Sequence, residues 1–559
     1  MSDALGSQES IQEKTSVLIV GAGPAGLVLA IELGQRGIDC IVVEQALTTS
    51  NQPKANLSSA RTMEHFRRLG FADEIRAVGL PPDYPQDVTF WTRYSAYELS
   101  RFKVPTSRQA SAMPAEQRHE WQTPELPHRV QQMAFEPIFK AKAEALSCVS
   151  LRYGHRVTDF HEVDDEMETL VENLGTGKTT SVRSRYLIGC DGSRSTVRKK
   201  IEIEYQGAGS ADRDFLGGKM LGLHFRSPRM YELINGSPAW HYWTVNKDRR
   251  GLLVALDGRD RFTLHIQMPS GTVLSEQLAR DWLTEVTGAE VPIEVLGLFA
   301  WTAGYTLVAE RYSQGKIILA GDSAHLFTPA AGLGYNTSID DVANLGWKLA
   351  AAIRGWGAPE LITSYEQERR PIALRNTEFA RHTADRLGSI PIPEGLETDS
   401  PEGESIRREI WQQIDDILKK EFQIPGLILG VRYDNSKIVM PESAAPPEDD
   451  FHVYRPSTHA GSRAPHIYLA GGVPIFDRFG KGFTLLRFNP TASGADELIK
   501  AAEVAEVPIT LVPIDDSRAR ELYERDLVLI RPDHHIAWRG NSVMGDPAHI
   551  IARVTGWPS

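Results

Sequence analysis

The sequence between residues 316 and 352 reads KIILAGDSAHLFTPAAGLGYNTSIDDVANLGWKLAAA, and the rest of the chain is organised around it. An apolar strand at 317–319 places Gly321 and Asp322 at its carboxyl end, the edge at which open α/β sheets bind ligands. A turn containing Gly332 and Gly334 then leads into a predicted helix whose apolar residues recur at helical spacing: Ile339, Val342, Leu345 and Leu349. Amide groups at such a helix start suit an anionic ring or a phosphate. A single Gly-Asp pair is equally an ordinary turn, so the prediction depends on the strand, turn and helix occurring together.

A second glycine-rich corner follows the first predicted strand, SVLIV at residues 16–20. The sequence GAGPAG places Gly21, Gly23 and Gly26 at the start of a helix, and Glu44 ends the next strand 18 residues after Gly26. In the adenine-dinucleotide fingerprint, such glycines admit a pyrophosphate to the helix start and the acidic residue binds ribose hydroxyls. The glycine motif alone is weak, whereas the motif with both strands, the helix and the acid predicts an adenine dinucleotide cofactor.

Further polar residues follow these corners. The apolar strand YLIGC at 186–190 leads to Asp191 and Gly192, which makes a third corner between a strand and a helix. Lys54 and Arg61 could reach a phosphate, although such residues are more commonly solvated. Gln132 lies near the start of a predicted helix, where its amide could touch a cofactor or could simply begin the helix.

Length and composition describe a multidomain globular protein. The 559 residues suffice for about three or four domains. The apolar fraction of 41% and the charged fraction of 24% are close to average. A net charge of -12 without a dense run of Lys and Arg argues against a nucleic-acid partner. Cys40, Cys148 and Cys190 lie far apart in strand-like contexts, which favours buried thiols in a reducing compartment and no metal site.

Neither a signal peptide nor a membrane helix is predicted. The first 15 residues are polar, and no window approaches the ~20 continuous apolar residues that a membrane helix needs. We therefore expect a soluble, cytoplasmic protein that binds no membrane.

Alternating apolar and polar residues between 202 and 302 predict a mostly antiparallel sheet. This segment contains the richest aromatic cluster of the chain, at residues 240–243. Alternate members of such a cluster are equally interpretable as sheet core or as a pocket wall.

Three motifs, taken in order, resemble those of single-component (class A) flavoprotein aromatic hydroxylases, the phenol hydroxylase-like monooxygenases of the para-hydroxybenzoate hydroxylase fold. The motifs are GAGPAG with Glu44, CDGSRSTVR around Asp191, and AGDSAHLFTPAAGLGYN around Asp322. The resemblance covers about residues 16–375. The ending, from GSRAPHIYL to RPDHHIAWRG, resembles the thioredoxin-like tail of the phenol-hydroxylase branch but has no CxxC motif, which excludes thiol–disulfide exchange there.

With the order of predicted elements, the resemblance implies an α/β fold in several parts. A Rossmann-like FAD-binding domain is expected to combine residues 1–82, 124–201 and 303–395. An inserted substrate domain with a mostly antiparallel sheet is expected to combine residues 83–123 and 202–302. Residues 396–447 are expected to form a helical linker, and residues 448–559 a thioredoxin-like α/β domain.

The resemblance implies an FAD-dependent monooxygenase that hydroxylates a phenolic or polyketide-like aromatic substrate with NAD(P)H and O₂, through a flavin 4a-hydroperoxide. Because the chain has one dinucleotide fingerprint, NAD(P)H is expected to bind transiently. Two alternatives stay open: a flavin oxidase, dehydrogenase or reductase without oxygen insertion, and a flavin-containing protein that sequesters an aromatic compound. The resemblance also suggests a homodimer.

The resemblance also implies the residues of the site. Glu44 is expected on the adenosine ribose and Asp322 on the ribityl chain. Lys54 stands where relatives commonly carry Arg before Ala, in a position expected to contact the pyrophosphate. The candidate cofactor-binding residues are Gly21, Gly23, Ala25, Gly26, Glu44, Gln45, Lys54, Arg61, Gln132, Asp191, Gly192, Gly321, Asp322, Pro329, Gly332, Gly334, Tyr335 and Asn336.

Within that set, Pro329, Gly332, Gly334 and Asn336 match the flavin-ring contacts of the family. The family's flavin ring moves between two positions, and the glycines are expected to let it pass. The candidate catalytic residues are Pro329, His241 and Tyr242, and a base that deprotonates a phenol is sought among His224, His241 and Tyr242. Each of those three is also interpretable as sheet core.

Overall fold

The computed structural model describes residues 12–114, 118, 121–210 and 216–558. Residues 1–11, which carry most of the prediction that no signal peptide is present, lie outside the described residues. The strands, in chain order, are β1 (Gln12–Val20), β2 (Cys40–Glu44), β3 (Val88–Trp91), β4 (Glu98–Phe102), β5 (Val149–Tyr153), β6 (His155–Val163), β7 (Glu166–Asn173), β8 (Thr179–Gly189), β9 (Tyr205–Ala208), β10 (Gly218–Arg226), β11 (His241–Val245), β12 (Arg250–Ala255), β13 (Arg261–Gln267), β14 (Glu294–Ala303), β15 (Thr306–Ala309), β16 (Ser313–Gln314), β17 (Ile317–Leu319), β18 (His325–Leu326), β19 (Tyr468–Leu469), β20 (Val473–Pro474), β21 (Phe483–Arg487), β22 (Ile509–Pro513), β23 (Leu527–Ile530) and β24 (Ile536–Gly540). The helices are α1 (Pro24–Gly34), α2 (Ala60–Leu69), α3 (Ala72–Ala77), α4 (Ser107–Ala112), α5 (Gln132–Glu144), α6 (Thr196–Lys200), α7 (Met230–Leu233), α8 (Glu276–Thr287), α9 (Leu333–Arg354), α10 (Pro359–Gly388), α11 (Pro401–Phe422), α12 (Pro425–Leu429), α13 (Ala495–Val504), α14 (Ser517–Tyr523) and α15 (Pro547–Val554).

An eight-stranded sheet carries the glycine corners. Its main path is β16-β17-β8-β1-β2-β5, and β17, β8, β1, β2 and β5 are mutually parallel. The predicted apolar stripe of α9 is confirmed, because Ile339, Val342, Leu345 and Leu349 are fully buried. The sequence analysis placed Gly334 in the turn that precedes this helix. In the structure the helix begins at Leu333, so Gly334 lies in its first turn.

A seven-stranded sheet has the order β14-β10-β13-β12-β11-β3-β4. Every pair is antiparallel except β11 with β3, which agrees with the alternating pattern in the sequence. Helix α8 covers one face: a Cβ on Gly251 would lie 3.0 Å from Val286 of α8 and 3.2 Å from the hydroxyl of Thr244. The opposite face, which carries His241 on β11, is turned toward residues 56–58 and α11.

Helix α11 packs into the core of the seven-stranded sheet through Ile410, Ile414 and Leu418. It is therefore part of a packed unit, which its prediction as a linker did not include. Near the carboxyl end of the chain, a four-stranded sheet has the order β22-β21-β23-β24, with β21 and β22 parallel and the other pairs antiparallel. The helix predicted at residues 495–504 is confirmed as α13.

Cys40 and Cys190 are buried, Cys148 is partly buried, and all three are unpaired. Within the described ranges, no helix is long and apolar enough to cross a bilayer. The same ranges contain no group of three or more His, Cys, Asp or Glu residues that could hold a metal ion.

Candidate active site

The three glycine corners meet at one edge of the eight-stranded sheet. Strands β17, β8 and β1 are adjacent and parallel, and Gly189 of β8 pairs in register with the last residues of both neighbours. Their carboxyl ends therefore bring Gly21, Asp191 and Gly321 side by side. This is the edge of a parallel sheet at which ligands bind.

The dinucleotide corner is closely packed except at one glycine. Gly21 has φ of 102°, and a Cβ there would lie 2.4 Å from the carbonyl oxygen of Cys190. A Cβ on Gly26 would lie 1.9 Å from the carbonyl oxygen of Gly21, so both positions require glycine. A Cβ on Gly23 would meet nothing within 4 Å. Gly23, which caps α1, is therefore the glycine that leaves space for a phosphate at the helix start.

Glu44 is fixed at the end of β2. One carboxylate oxygen accepts a hydrogen bond of 2.8 Å from the Ala22 amide, and the other accepts one of 2.8 Å from the Ala46 amide. Each carboxylate oxygen keeps a lone pair, so the group can still accept from ribose hydroxyls. The neighbouring Gln45 is exposed.

The corner at Gly321 and Asp322 packs directly on α1. Gly321 has φ of 65°, and a Cβ there would lie 3.1 Å from the Cβ of Ala25. The carbonyl of Asp322 accepts a hydrogen bond of 2.6 Å from the Tyr205 hydroxyl, whereas no described residue donates to its carboxylate. The side chain has open surface, yet the surrounding protein raises its pKa by desolvation. Both observations are consistent with a carboxylate lying in a cleft.

At the third corner, the carboxylate of Asp191 is used by the protein. It accepts hydrogen bonds of 2.6 Å from the Ser195 hydroxyl and of 2.7 Å and 3.2 Å from the amides of Thr196 and Val197. Asp191 thus holds the start of α6. Gly192 has φ of 79° and leaves open space where a Cβ would be, so Gly192 is the member of the pair that a ligand can approach.

Arg61 has partners within the protein, and its predicted cofactor contact stays a prediction. The side chain is buried, and its guanidinium donates to Glu64 at 2.9 Å and to the carbonyl of Asp533 at 2.5 Å. Arg61 therefore joins α2 to the carboxyl-terminal part of the chain. Nothing in its local sequence reveals a partner 472 residues away.

Lys54 and Gln132 lie near the cofactor edge, which is the edge of the eight-stranded sheet that carries Gly21, Asp191 and Gly321. Lys54 is exposed, and its charge lowers the pKa values of Asp322 and Glu136, although burial raises both overall. The Gln132 amide donates a hydrogen bond of 2.5 Å to Glu136, whose other oxygen accepts from the Ser50 amide at 2.8 Å. Gln132 therefore has a hydrogen-bond partner within α5, and its cofactor contact stays a prediction.

The turn at residues 329–332 is strained and is supported from outside. Pro329 is exposed, Ala331 adopts the left-handed conformation with φ of 57°, and Gly332 follows with φ of 63°. A non-glycine residue in that region costs about 1 kcal/mol or more and persists where surrounding contacts hold it. The Ala331 amide donates a hydrogen bond of 3.1 Å to Glu421 of α11.

Glu421 is a site residue that the sequence reading missed. It is 3% exposed, and its second oxygen has no hydrogen-bond partner in the described part of the chain. Burial raises its pKa to about 7, against the smaller opposing effect of the Ala331 amide. The next residue, Phe422, lies 6.5 Å from the rings of both Trp240 and His241. The end of α11 is therefore a wall of the site.

The side-chain amide of Asn336 is fully used by protein partners, and the flavin contact predicted for this residue stays a prediction. Its oxygen accepts hydrogen bonds of 2.7 Å from the Ser59 amide and 2.7 Å from the Thr62 hydroxyl. Its nitrogen donates to the carbonyls of Leu57 at 3.0 Å and Gly332 at 2.6 Å. Asn336 therefore ties the strained turn to residues 57–62.

Tyr335, another predicted cofactor contact, packs against other residues of the protein. Its ring stacks on Phe135 at 4.9 Å, and its hydroxyl lies 3.5 Å from that of Ser58.

Tyr242 lies in the core of the seven-stranded sheet, and the catalytic role predicted for it stays a prediction. Tyr242 is fully buried, and its hydroxyl accepts a hydrogen bond of 2.6 Å from the Ala239 amide. Its ring packs on Tyr94 at 5.9 Å. Because successive residues of a strand point to opposite faces, Tyr242 faces the α8 side and His241 faces the other side.

The structure brings His241 close to the strained turn. Its Nε2 lies 3.3 Å from the amide nitrogen of Asn56. The next residue, Leu57, lies 3.3 Å from where a Cβ on Gly332 would be. Because the Asn56 amide nitrogen donates, Nε2 accepts and the ring proton is on Nδ1. Burial, then Arg129 and His265, hold the pKa of His241 well below its usual value, so the ring is neutral at pH 7.

Two more histidines share this face, which we call the histidine face (His224, His241, His265 and Phe299). Strand pairing aligns His265 with Gly222, and the Phe299 ring fills the space where a Gly222 side chain would be. In each histidine, one ring nitrogen is buried without a hydrogen-bond partner among the described residues. Burial lowers the pKa of His224, and that of His265 to about 4. The two-residue period of a strand predicts which of its own residues lie on the same face. It does not predict which residues of different strands lie beside each other, and the structure shows that these histidines share one face of the sheet.

Together these residues fit an adenine dinucleotide. Gly23 and Gly192 leave open space, Glu44 is fixed at the end of a strand, and the carboxylate of Asp322 has no donor from the described protein. The amide groups at the start of α9 lack partners within the helix and lie beside the strained turn.

Comparisons with known proteins agree with this geometry. Residues 14–380 match the family model described as an FAD binding domain, and residues 457–558 match that described as aromatic-ring hydroxylase, C-terminal. The FAD-dependent monooxygenase apdD of Emericella nidulans is 32% identical over 581 residues, which cover 99% of this chain and 92% of that protein. Phenol 2-monooxygenase of a Pseudomonas species is 29% identical, covering 96% of this chain and 91% of that protein. A solved structure of RebC with bound 7-carboxy-K252c is 34% identical with a TM-score of 0.88, covering 98% of this chain and 99% of that one.

Proposed function

The chain belongs to the FAD-dependent aromatic-ring hydroxylases and is an FAD-dependent aromatic monooxygenase; on this premise we propose that NAD(P)H is its reductant and that the substrate ring binds between the histidine face and the turn at residues 329–332. The position of His241 carries this proposal. His241 contacts Asn56, and the adjacent Leu57 lies against the Gly332 turn, so one short segment separates the sheet from the strained turn.

The chain's own residues can be assigned roles in holding FAD. The open space at Gly23 and the start of α1 suit the pyrophosphate, Glu44 suits the adenosine ribose, and Asp322 suits the ribityl hydroxyls. Bound there, FAD would supply a reducible ring at which O₂ is activated. Asn336 and Glu421 fix the turn beside which that ring would lie.

The surface of the seven-stranded sheet suits an aromatic ligand. Buried aromatic rings exclude water, which protects a reactive intermediate from side reactions. His241 is neutral and carries a proton on an Nδ1 that no described residue accepts, so it is suited to donate to a substrate oxygen. Its proposed role is therefore to orient the phenol oxygen and not to remove its proton.

The domain predicted at residues 448–559, here called the carboxyl-terminal unit, is proposed to be thioredoxin-like in topology and to have no redox role. Its support is a four-stranded sheet with one parallel and two antiparallel pairs, packed with α13 and α15. No cysteine lies beyond Cys190. The three unpaired cysteines fit a reducing, cytoplasmic location, which is part of the proposal.

A coupled oxidation experiment tests the proposal. Purified, FAD-loaded protein is given NADH or NADPH with a set of phenols and naphthols, while nicotinamide oxidation, O₂ uptake and product mass are measured. We expect one nicotinamide and one O₂ consumed for each product, with the product heavier by one oxygen atom. If every compound that stimulates nicotinamide oxidation yields only hydrogen peroxide, the result would support the oxidase alternative instead.

A further inference from the structure

Arg129 is a buried cation whose guanidinium has no hydrogen-bond or ion-pair partner among the described residues. The residue is 6% exposed, its Nε has no hydrogen-bond partner, and no described acidic residue forms an ion pair with it. Its guanidinium lies over the Trp240 ring, 4.1 Å from the centroid. Burial lowers the pKa of Arg129 to about 9, so it is charged at neutral pH. An unpaired charge in this position is costly to the fold.

The other buried arginines in the described ranges show how unusual this is. Each donates a hydrogen bond to another group of the protein: Arg61 to Glu64, Arg198 to the carbonyl of Ile203, Arg369 to Asp341, Arg463 to Glu64, and Arg531 to Glu368. Arg129 is the exception in this set. Among the described residues, no acceptor compensates its charge, which leaves its donors free for an external group.

Arg129 lies beside the histidine face and not at the cofactor edge. The ring of Trp240, on which it rests, stacks on His241 at 3.4 Å between centroids. Its charge is close enough to His241 to lower the pKa of that ring. Across the described chain, no hydrogen bond or ring contact joins Arg129 to Gly21, Glu44 or Asp322.

We propose that Arg129 binds a carboxylate on the aromatic substrate, and that the site thereby selects carboxylated over neutral ring compounds. This inference rests on the proposed function, because it places the substrate at the histidine face. The guanidinium offers a planar fork of N–H donors that matches a carboxylate. The Trp240 ring stabilises one face of the cation and leaves the in-plane donors for a ligand.

Two matched ring compounds test this selection. The FAD-loaded enzyme is titrated with 1-hydroxy-2-naphthoate and with 1-naphthol, which differ by one carboxylate, and the Kd values are measured by calorimetry. We expect the parent to bind the naphthoate at least about tenfold more tightly, which is about 1.4 kcal/mol. Arg129→Met should remove that preference while changing the Kd for 1-naphthol less than twofold. Arg129→Lys should keep part of the preference because it keeps the charge.

Arg249 provides a matched control. Its guanidinium also lies over a tryptophan of the same unit, Trp282 of α8, at 4.0 Å, but it is paired with Glu285. Arg249→Met should leave the preference for the naphthoate unchanged. In addition, Arg129→Met should raise the Tm of the substrate-free enzyme, since it removes an unpaired buried charge, whereas a purely structural arginine would lower the Tm when replaced.

Several results would overturn the inference. They are a parent that binds both naphthalenes equally, an Arg129→Met variant that weakens both equally, and a variant that loses FAD, which would place Arg129 on the cofactor. If Arg129→Met does not fold, the ratio of the two Kd values in the parent still decides. An enzyme that hydroxylates a neutral phenol without any anion preference overturns this inference and leaves the proposed function intact. An enzyme that prefers the naphthoate yet hydroxylates nothing supports it and overturns the proposed function.

Discussion

Glu421 of α11 accepts a hydrogen bond of 3.1 Å from the amide of Ala331, the one left-handed alanine in the turn beside the cofactor edge. The contact joins a helix packed on the seven-stranded sheet to a turn that precedes α9 of the other unit. A strained turn keeps its conformation only when its surroundings hold it. We infer that α11 holds this turn in shape, with Asn336 acting from the other side through Gly332.

The raised pKa of Glu421 makes its effect on stability depend on pH. The pKa is raised from 4.5 to about 7, so between these values the unfolded chain loses the proton while the folded chain keeps it. This group therefore makes the fold less stable as pH rises through that window, by about 3 kcal/mol in total. Glu421→Gln removes the titration and keeps an acceptor for Ala331. We expect the variant to match the parent near pH 5 and to have a Tm roughly 2–3 °C higher at pH 8.

The measurement is a thermal melt at intervals from pH 5 to pH 8. Glu409→Gln, at an exposed position of the same helix, is the control and should follow the parent throughout. Parallel curves for parent and Glu421→Gln would contradict the assigned titration.

Gly334 tests whether the start of α9 faces a moving ring. The atoms nearest to a Cβ there belong to Phe327 and begin at 3.6 Å, an ordinary contact distance, so the fold tolerates alanine. A ring sliding past this backbone would meet the new methyl group. We expect the substrate-induced increase in the rate of flavin reduction by NAD(P)H, at least about tenfold in the parent, to fall below about threefold in Gly334→Ala.

Stopped-flow reduction with and without substrate measures this increase, and the substrate Kd should change less than twofold. Gly388→Ala, at the last residue of α10 where a Cβ would meet nothing within 4 Å, is the control. A true substrate that leaves the parent's reduction rate unchanged would end the gating argument without touching the monooxygenase assignment.

Glu44 is predicted to hold the adenosine end of FAD. Glu44→Ala removes a charged acceptor from the ribose and also releases the amides of Ala22 and Ala46. A hydrogen bond to a charged group contributes about 1.5–3 kcal/mol, so FAD affinity should fall roughly 10- to 100-fold. Equilibrium dialysis of FAD measures this, with Glu162→Ala at an exposed position of β6 as control. Equal FAD retention in parent and Glu44→Ala would remove Glu44 from the site.

The cofactor edge could be predicted from the sequence because each corner is local. A strand followed by glycine and an acid places that acid at the strand's carboxyl end, and parallel strands share that edge. Gly21, Asp191 and Gly321 therefore meet as the motifs indicated.

The protein partners of Arg61 and Asn336, in contrast, could not be predicted. Both side chains bond to residues distant in sequence, Asp533 and Ser59 respectively, and local pattern carries no information on such partners. Glu421 was missed for the same reason, since an acid near the end of a helix indicates nothing about the turn it contacts. Likewise, the alternation of side chains along a strand shows that His241 and Tyr242 lie on opposite faces of the sheet. It does not show which of the two faces is turned toward the cofactor.

The carboxyl-terminal unit is predicted to be essential for stability because it neutralises buried charges elsewhere in the chain. Arg531 forms two hydrogen bonds to Glu368 of α10, at 2.6 and 2.9 Å, and both side chains are fully buried. The neighbouring charges hold the pKa of Glu368 below its usual range despite burial, with Arg531 the larger contributor and Lys348 the next. Removing one partner of a buried pair costs about 3–5 kcal/mol, because the other charge stays buried.

Arg531→Met should therefore lower the free energy of unfolding by about 3–5 kcal/mol in urea titrations. Arg518→Met in the same unit removes a pair that an exposed arginine forms with Asp516, and should cost about 1 kcal/mol or less. Truncation before Gly461 removes both Arg531 and Arg463, the latter a partner of the buried Glu64, so the shortened chain should be insoluble or unfolded. If the unit had a catalytic role instead, Arg531→Met would lose activity at full stability. A truncated chain that is soluble, equally stable and fully active would show that these buried pairs are dispensable.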